Sequence, residues 1–448
     1  MDTPICDFVK RYSTSNIARV HMPGHKGKGL LGFENYDITE VDGADSLYHA
    51  NGIIKKSEEN ATLLFESGKT LYSTEGSSQC IRAMLHLARM HAVSQGKKDK
   101  LYALATKNAH SSFISSAILS DFDVMWLPSD ENSYLSGKVS PQKIENVLSC
   151  VDVLPFAVYV TSPDYLGNIC DIEGIAEVCK KYNVPLLVDN AHGAYLKFLE
   201  KSEHPLDLGA TMCCDSAHKT LPVLTGGAYL HISKKAPAFF RENAKSALML
   251  FGSSSPSYLT LCSLDNANKY INEGFEKKLS KFITKVDNLK QVLTDAGYSL
   301  SGNEKLKITI DTKKYGYLGS EVYNILYKKG VVCEFYDPDC IVMMLSPENG
   351  ENDLGVVKNA LLSIPRKTEI LDTPPTILPC KRALSPRNAH FKSKEIINIE
   401  NAEGRVLADL NVSCPPCVSV ISCGERFNQS AIQLCKYYGI DKCCVVKE

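Results

Sequence analysis

From about residue 70 to residue 235 the chain alternates between short apolar runs and longer helical patterns, and this alternation limits the fold more than any other feature. "LYALA" (101–105), "DVMWLP" (123–128), "FAVYVTSP" (156–163), "VPLLVD" (184–189) and "TMCCDS" (211–216) read as strands. "SQCIRAMLHLARMHAVSQG" (78–96), "PQKIENVLSC" (141–150) and "IEGIAEVCKKYN" (172–183) read as helices. Such alternation produces βα units, so the predicted class is α/β, with a mostly parallel sheet flanked by helices. Nearly continuous apolar strands suit a sheet covered on both faces. Ligands of these sheets sit at the carboxyl ends of the strands, and functional residues are sought there.

The rest of the chain is organised differently. Residues 256–297 read as long helical material whose charged second half connects two domains. "LKITIDT", "VVCEFYD" and "CIVMMLS" then read as strands, with helices at "GSEVYNILYKKG" and "NDLGVVKNALLSIP", which predicts a smaller α+β domain. "TPPTILPC" (373–380) reads as a linker, and the tail mixes short strands with one helix, "QSAIQLCKYYG". The expected division is an N-terminal segment over 1–70, a large domain over 71–275, a small domain over 276–372 and a C-terminal domain over 381–448.

The formal net charge is −1, so no global basic field draws nucleic acid or an anionic membrane. No apolar run reaches the length of a membrane span, and "MDTPICDFVKRYSTSN" lacks a signal-peptide core. The 17 cysteines are scattered, which predicts reduced thiols in a cytoplasm. Cys414 and Cys417 form a C-x-x-C without a second such pair, so no metal is expected there. "GKGLLG" (27–32) follows Pro23 and precedes no helix, so it is not a dinucleotide fingerprint. "ESGKT" (66–70) has Leu63 where a P-loop needs its first glycine, and Pro23 and Gly24 rule out a helical metal pair of His21 and His25.

Three features converge on one chemistry. Asp189 directly follows a strand, where a partly buried acid needs a cationic or hydrogen-bonding partner. Lys219 follows the next strand, where shelter from water makes a lysine a usable nucleophile. Ser77 and Ser78 stand at the start of a long helix, where N–H groups and hydroxyls bind phosphate. Each alone has an ordinary structural explanation: a turn aspartate, a surface lysine, a helix cap. Together they are the parts that hold pyridoxal 5′-phosphate (PLP), with the aspartate on the pyridine nitrogen and the lysine as covalent anchor.

The sequence resembles the Orn/Lys/Arg decarboxylases, in their shorter bacterial form, which have the aspartate-aminotransferase fold (PLP fold type I). "HMPGHKG" (21–27) is similar to that family's N-terminal signature, and "TKNAHSSF" (106–113) to the segment whose histidine, here His110, stacks on the ring. "VTSPDYLGNICDI" (160–172) is similar to its strand-loop near the cofactor. "VDNAHGAY" (188–195) resembles the aspartate segment, implying Asp189 on the ring nitrogen, Ala191 against the ring face and His192 in the cofactor-binding set. "DSAHKTLPVLTGGAYLH" (215–231) resembles the lysine segment, implying Ser216 on the phosphate, His218 beside the reacting atoms and backbone close approach at Gly226–Gly227. "SSSPSYLTLCSLD" (253–265) resembles a segment associated with a dimer interface, and the tail from Gly404 to Glu425 resembles the C-terminal domain.

The resemblance implies decarboxylation of arginine, lysine or ornithine in a homodimer or higher homo-oligomer. Lys219 or His218 would return a proton to Cα, and Glu425 is a candidate partner for the substrate's cationic side chain. The chain departs from the pattern at Asn190, where the family commonly has glutamate, at Tyr195 for a frequent histidine, and at Cys417 and Cys423. These departures bear on substrate choice. The same cradle serves aminotransferases and lyases, and in the former an arginine such as Arg366, Arg382, Arg387 or Arg405 would bind the substrate carboxylate. A non-catalytic PLP-fold protein is the third reading.

Overall fold

The computed structural model describes residues 1–97, 101–127, 129, 137–376, 378–413 and 419–448. The chain forms two compact units, Met1–Lys98 with Cys179–Lys277, and Asp99–Val178 with Lys278–Glu448. The βα region carries β1 (Lys69–Ser73), β2 (Tyr102–Thr106), β3 (Asp123–Leu127), β4 (Ala157–Thr161), β5 (Leu186–Asp189), β6 (Met212–Asp215) and β7 (Ala228–Ile232). Every residue of β5, β6 and β7 is buried, as their unbroken apolar runs require.

In the first unit β5 pairs parallel with β6, while β7 runs antiparallel to both β6 and β1. The helix Gly76–Ser94 covers this run of strands. Its buried residues include Cys80, Ile81, Met84, Leu85, Leu87 and Ala88, the three- and four-residue spacing that puts one apolar face on a sheet. In the second unit β2 pairs parallel with both β3 and β4. The parallel βα reading therefore holds, with β7 the strand that reverses direction.

The long helical stretch is two helices, Tyr258–Asn272 and Phe275–Asp295. They break at Gly274, whose φ of 103° lies in the left-handed region that glycine adopts at little cost. The second unit continues with an antiparallel sheet of β8 (Ser299–Ser301), β9 (Lys307–Asp311), β10 (Phe335–Tyr336) and β11 (Cys340–Met344), in the order β10–β11–β9–β8. Helices Gly319–Lys328 and Glu351–Leu362 accompany it. The tail packs Leu407, Ile421, Phe427, Leu434 and Val445 into its own core, where Cys435 and Cys443 are also buried. Cys414 and Cys417 lie outside the described residues; the described cysteines are free thiols. Among the described residues no helix is long and apolar enough to cross a membrane.

The N-terminal helix Pro4–Ser13 is fastened by one acid. Its Ile5 and Cys6 N–H groups donate to Asp265 Oδ2 at 2.9 and 3.0 Å, and Ser57 Oγ donates to Oδ1 at 2.5 Å. These two N–H groups are among the helix's unpaired first-turn donors. Burial pushes the Asp265 carboxyl up to about 6. Asp265→Ala leaves these donors buried without an acceptor and is expected to cost about 3 kcal/mol, read as a lower melting temperature with faster hydrogen exchange in residues 4–13.

Candidate active site

The helix Gly76–Ser94 begins without a side-chain cap, because Glu75 at its N-cap makes no such bond. Past the Gly76 N–H, which Gly226 O accepts, the N–H groups beside Ser77 and Ser78 have no side-chain cap, as an anion site at a helix start needs. Ser216, directly after β6, is almost fully buried and donates to Ser77 Oγ at 2.8 Å, so two of the predicted phosphate hydroxyls meet. Ser78 is the next residue in the same turn and is partly exposed. Gly76 has a φ of 73°, and a Cβ there would meet nothing within 4 Å, which leaves open space at the helix start.

Asp189 ends β5 with 2% of its surface exposed. Its Oδ1 accepts from the Ala191 N–H at 3.2 Å and from the Cys214 thiol at 3.7 Å. Lys219 sits in the short helix Ala217–Thr220 that follows β6. Its Nζ lies 3.0 Å from Nε2 of His192, a residue of the expected cofactor-binding set. His218 Nδ1 lies 3.0 Å from Gly227 O. Burial pushes this imidazole below its usual range, against the opposing bond to Gly227.

The glycine pair is used for contact within the protein. Gly226 has a φ of 94°, and a Cβ there would come within 2.8 Å of Thr74 O. Its carbonyl accepts from the Gly76 N–H at 2.7 Å, locking the loop that precedes the helix. At Gly227 a Cβ would collide with Val223 Cγ1 at 2.3 Å.

The residues present fit PLP. A strand-end carboxylate, a helix start with two convergent hydroxyls and open space, and a lysine paired with an imidazole instead of a carboxylate all belong to the first unit. Asn190 and Tyr195, expected to bear on substrate choice, are both fully buried. Asn190 Nδ2 donates to Asp215 Oδ1 at 2.7 Å, so its difference from the family pattern is internal.

Other predicted residues stand in the second unit. His110 caps the helix Ser111–Ser120, its Nδ1 accepting from the Ser112 N–H at 3.2 Å. Glu425 is buried, and its two carboxylate oxygens take Lys107 Nζ at 2.7 and 2.6 Å and the Ser422 N–H at 2.7 Å. Its charge is thus neutralised by the protein, contrary to the expectation that it receives a substrate cation. The arginines considered for a substrate carboxylate have partners too. Arg405 pairs with Glu395 at 2.5 Å, Arg382 with Asp123 at 3.1 Å, Arg387 donates to Ile118 O at 3.0 Å, and Arg366 lies 6.0 Å from the Tyr315 ring centroid.

A family model described as "Orn/Lys/Arg decarboxylase, major domain" matches residues 3–312. The uncharacterized protein YaaO of Bacillus subtilis strain 168 is 29% identical, over 97% of this chain and 93% of its own. An arginine decarboxylase of Bacillus anthracis is 26% identical, over 96% of this chain and 92% of its own. The solved structure of the Francisella novicida lysine decarboxylase LdcF superposes with a TM-score of 0.79 at 16% identity, covering 99% of this chain and 81% of that one. That likeness assigns PLP fold type I, a mostly parallel sheet flanked by helices with small antiparallel sheets.

The Gly226–Thr74 approach has a measurable consequence. Gly226→Ala forces Cβ onto the Thr74 carbonyl at a backbone angle that costs about 1–3 kcal/mol for a non-glycine residue. It is expected to displace the start of the helix Gly76–Ser94 and weaken PLP binding about tenfold, measured by equilibrium titration of the apoprotein.

Proposed function

The chain belongs to the Orn/Lys/Arg decarboxylase family and is a PLP-dependent amino acid decarboxylase, and from that premise we propose that it removes the α-carboxylate of a basic amino acid, with arginine first among arginine, lysine and ornithine. The observation that carries the assignment of roles is the 3.0 Å pair of Lys219 Nζ and His192 Nε2, three residues beyond Asp189. Arginine is put first because relatives matching over nearly their whole length bear the name arginine decarboxylase.

Bound PLP supplies the electron sink that accepts the pair released when the carboxylate leaves. The protein's own residues do the rest. The N–H groups beside Ser77 and Ser78, with the hydroxyls of Ser77 and Ser216, would hold the phosphate. Asp189 would keep a proton on the pyridine nitrogen, with its other lone pairs steadied by the Ala191 N–H and the Cys214 thiol. Ala191 would bear on the ring, and the family resemblance gives His110 a stacking role. His192 Nε2 is placed to take the proton that Lys219 must lose before its amine can bond to carbon. Burial pushes the His218 imidazole down and Nδ1 is tied to Gly227 O, so Lys219 is the stronger candidate to return a proton to Cα.

Lys219→Ala is expected to abolish the borohydride-reducible adduct that the wild-type protein forms with PLP; an adduct surviving on another lysine removes Lys219 from this role. Arginine, lysine and ornithine supplied separately should each be assayed for released CO₂, with arginine expected to give most. Formation of keto acid in place of CO₂ would overturn the decarboxylase reading. If Lys219 handles the proton at Cα, its loss costs the 10²–10⁴-fold of an acid–base group or more, whereas His218→Gln should cost less than about a hundredfold.

A further inference from the structure

Below the proposed cofactor residues lies a second polar cluster that none of the roles above uses. Asp215, the last residue of β6, is fully buried. Its Oδ2 lies 3.1 Å from His204 Nε2 and 3.1 Å from His231 Nε2, and its Oδ1 accepts from Asn190 Nδ2 at 2.7 Å. His204 comes from the loop before β6, His231 from β7, and Asn190 from the residue that follows β5. Burial alone would push the Asp215 carboxyl up, but the charge and hydrogen bonds of the two histidines hold it well below the usual range. Burial in turn pushes His231 down, against the pull of Asp215 and its hydrogen bond. Thr70 Oγ1, 2.8 Å from His231 Nδ1, completes that ring's bonding.

The three ligand-type atoms lie close enough together to hold a metal ion. Direct hydrogen bonds already account for both carboxylate oxygens, and a buried anion with three donors is satisfied without a cation. What the cluster does is mechanical. Asn190 immediately follows Asp189, and Asp215 immediately precedes Ser216 and lies four residues before Lys219. One carboxylate thus ties the segment bearing the proposed ring-nitrogen partner to the segment bearing the proposed phosphate ligand and anchor. The side chain at 190 has no room to grow: a Cβ at Gly193 would already sit 2.0 Å from Asn190 Oδ1.

We infer that Asp215, clamped by His204 and His231, is a positioning residue that fixes Asp189 and Lys219 relative to each other through Asn190, and that cofactor affinity depends on this bond. The inference rests on the roles proposed for Asp189 and Lys219. It also accounts for the amide at position 190. A carboxylate there would face Asp215 across a hydrogen-bond distance, and both could not stay ionised.

The test measures equilibrium PLP affinity of the apoprotein for wild type, Asn190→Ala and Asn190→Asp across about pH 5–8, beside apoprotein melting curves. Cys213 and Cys214 on its strand, Tyr229 on β7 and Cys80 on the covering helix also feel Asp215, and burial raises all four, while Lys197 and Asp207 act on the two histidines. Wild type measured over the same range accounts for every group but the introduced acid. Asn190→Ala is expected to weaken PLP binding by ten- to a hundredfold, the size that supporting hydrogen-bond partners have at metal sites. Asn190→Asp should bind weakly at high pH and recover towards wild type at low pH, where one proton restores the bridge.

Loss of melting temperature in both variants with unchanged PLP affinity would overturn the inference, as would a stoichiometric metal ion found in the wild type and lost on His231→Ala. An unchanged affinity beside an adduct abolished by Lys219→Ala would sink the hub alone. An adduct that survives Lys219→Ala would sink the underlying assignment.

Discussion

Parallel pairing of β5 with β6, in the register Val188 to Cys213 and Asp189 to Cys214, brings to one sheet edge two segments that lie well apart in the chain. The ladder extends one step past the strand, with Asn190 N–H donating to Cys214 O at 3.0 Å. Beyond that point the two segments diverge, one into Ala191 and His192, the other into Ser216 to Lys219. The proposed site is the gap opened where the ladder stops, in keeping with the way ligands of open parallel sheets collect at the carboxyl ends of strands. The 3.0 Å approach of Lys219 to His192 closes across that gap.

Two buried acids on neighbouring strand ends set an electrostatic problem. The structure meets it with unequal surroundings. Asp215 takes its hydrogen bonds from two imidazoles and an amide, and its carboxyl is held well below the usual range although burial opposes this. Asp189 takes a backbone N–H and a thiol on Oδ1, neutral donors, and the proposed protonated ring nitrogen would be its cationic partner. The imidazoles are themselves ordered by apolar packing, since the Phe65 ring lies 4.4 Å from the His231 centroid and 5.7 Å from that of His204. The polarity of the edge and the apolar core beneath it are thus one construction.

Much of this was legible in the chain because it is local. Strand runs such as "VPLLVD" and "TMCCDS" announce themselves by continuous apolar residues, and the acid or lysine that follows is read by position. The helix start at Ser77 and Ser78 is likewise a local pattern. What escaped was tertiary. β1 and β7 were not singled out as strands, and their antiparallel pairing joins residues more than 150 positions apart. His204 stands in "SEHPLDLGA", which has no periodicity to place it against Asp215. Asn190 was visible as a departure from a family pattern, yet only its burial reveals that it faces inward instead of towards substrate. Gly226 and Gly227 were read as allowing close approach, but the chain that approaches Gly226 is the protein's own Thr74 loop.

The same contrast between local pattern and tertiary partner governs Glu425. Its place in the tail motif suggested a receptor for a cationic substrate, yet it is 4% exposed and shares both oxygens with Lys107. With its acid buried, this pair cannot lose the lysine cheaply, because the carboxylate would remain buried without its cation. Lys107 also lies 4.8 Å from the Trp126 ring centroid, so the cation is held from two sides. Lys107 directly follows β2 and precedes His110 by three residues. The tail's acid therefore serves to fix the strand end that leads into the His110 segment, and it acts on that segment from 318 residues away.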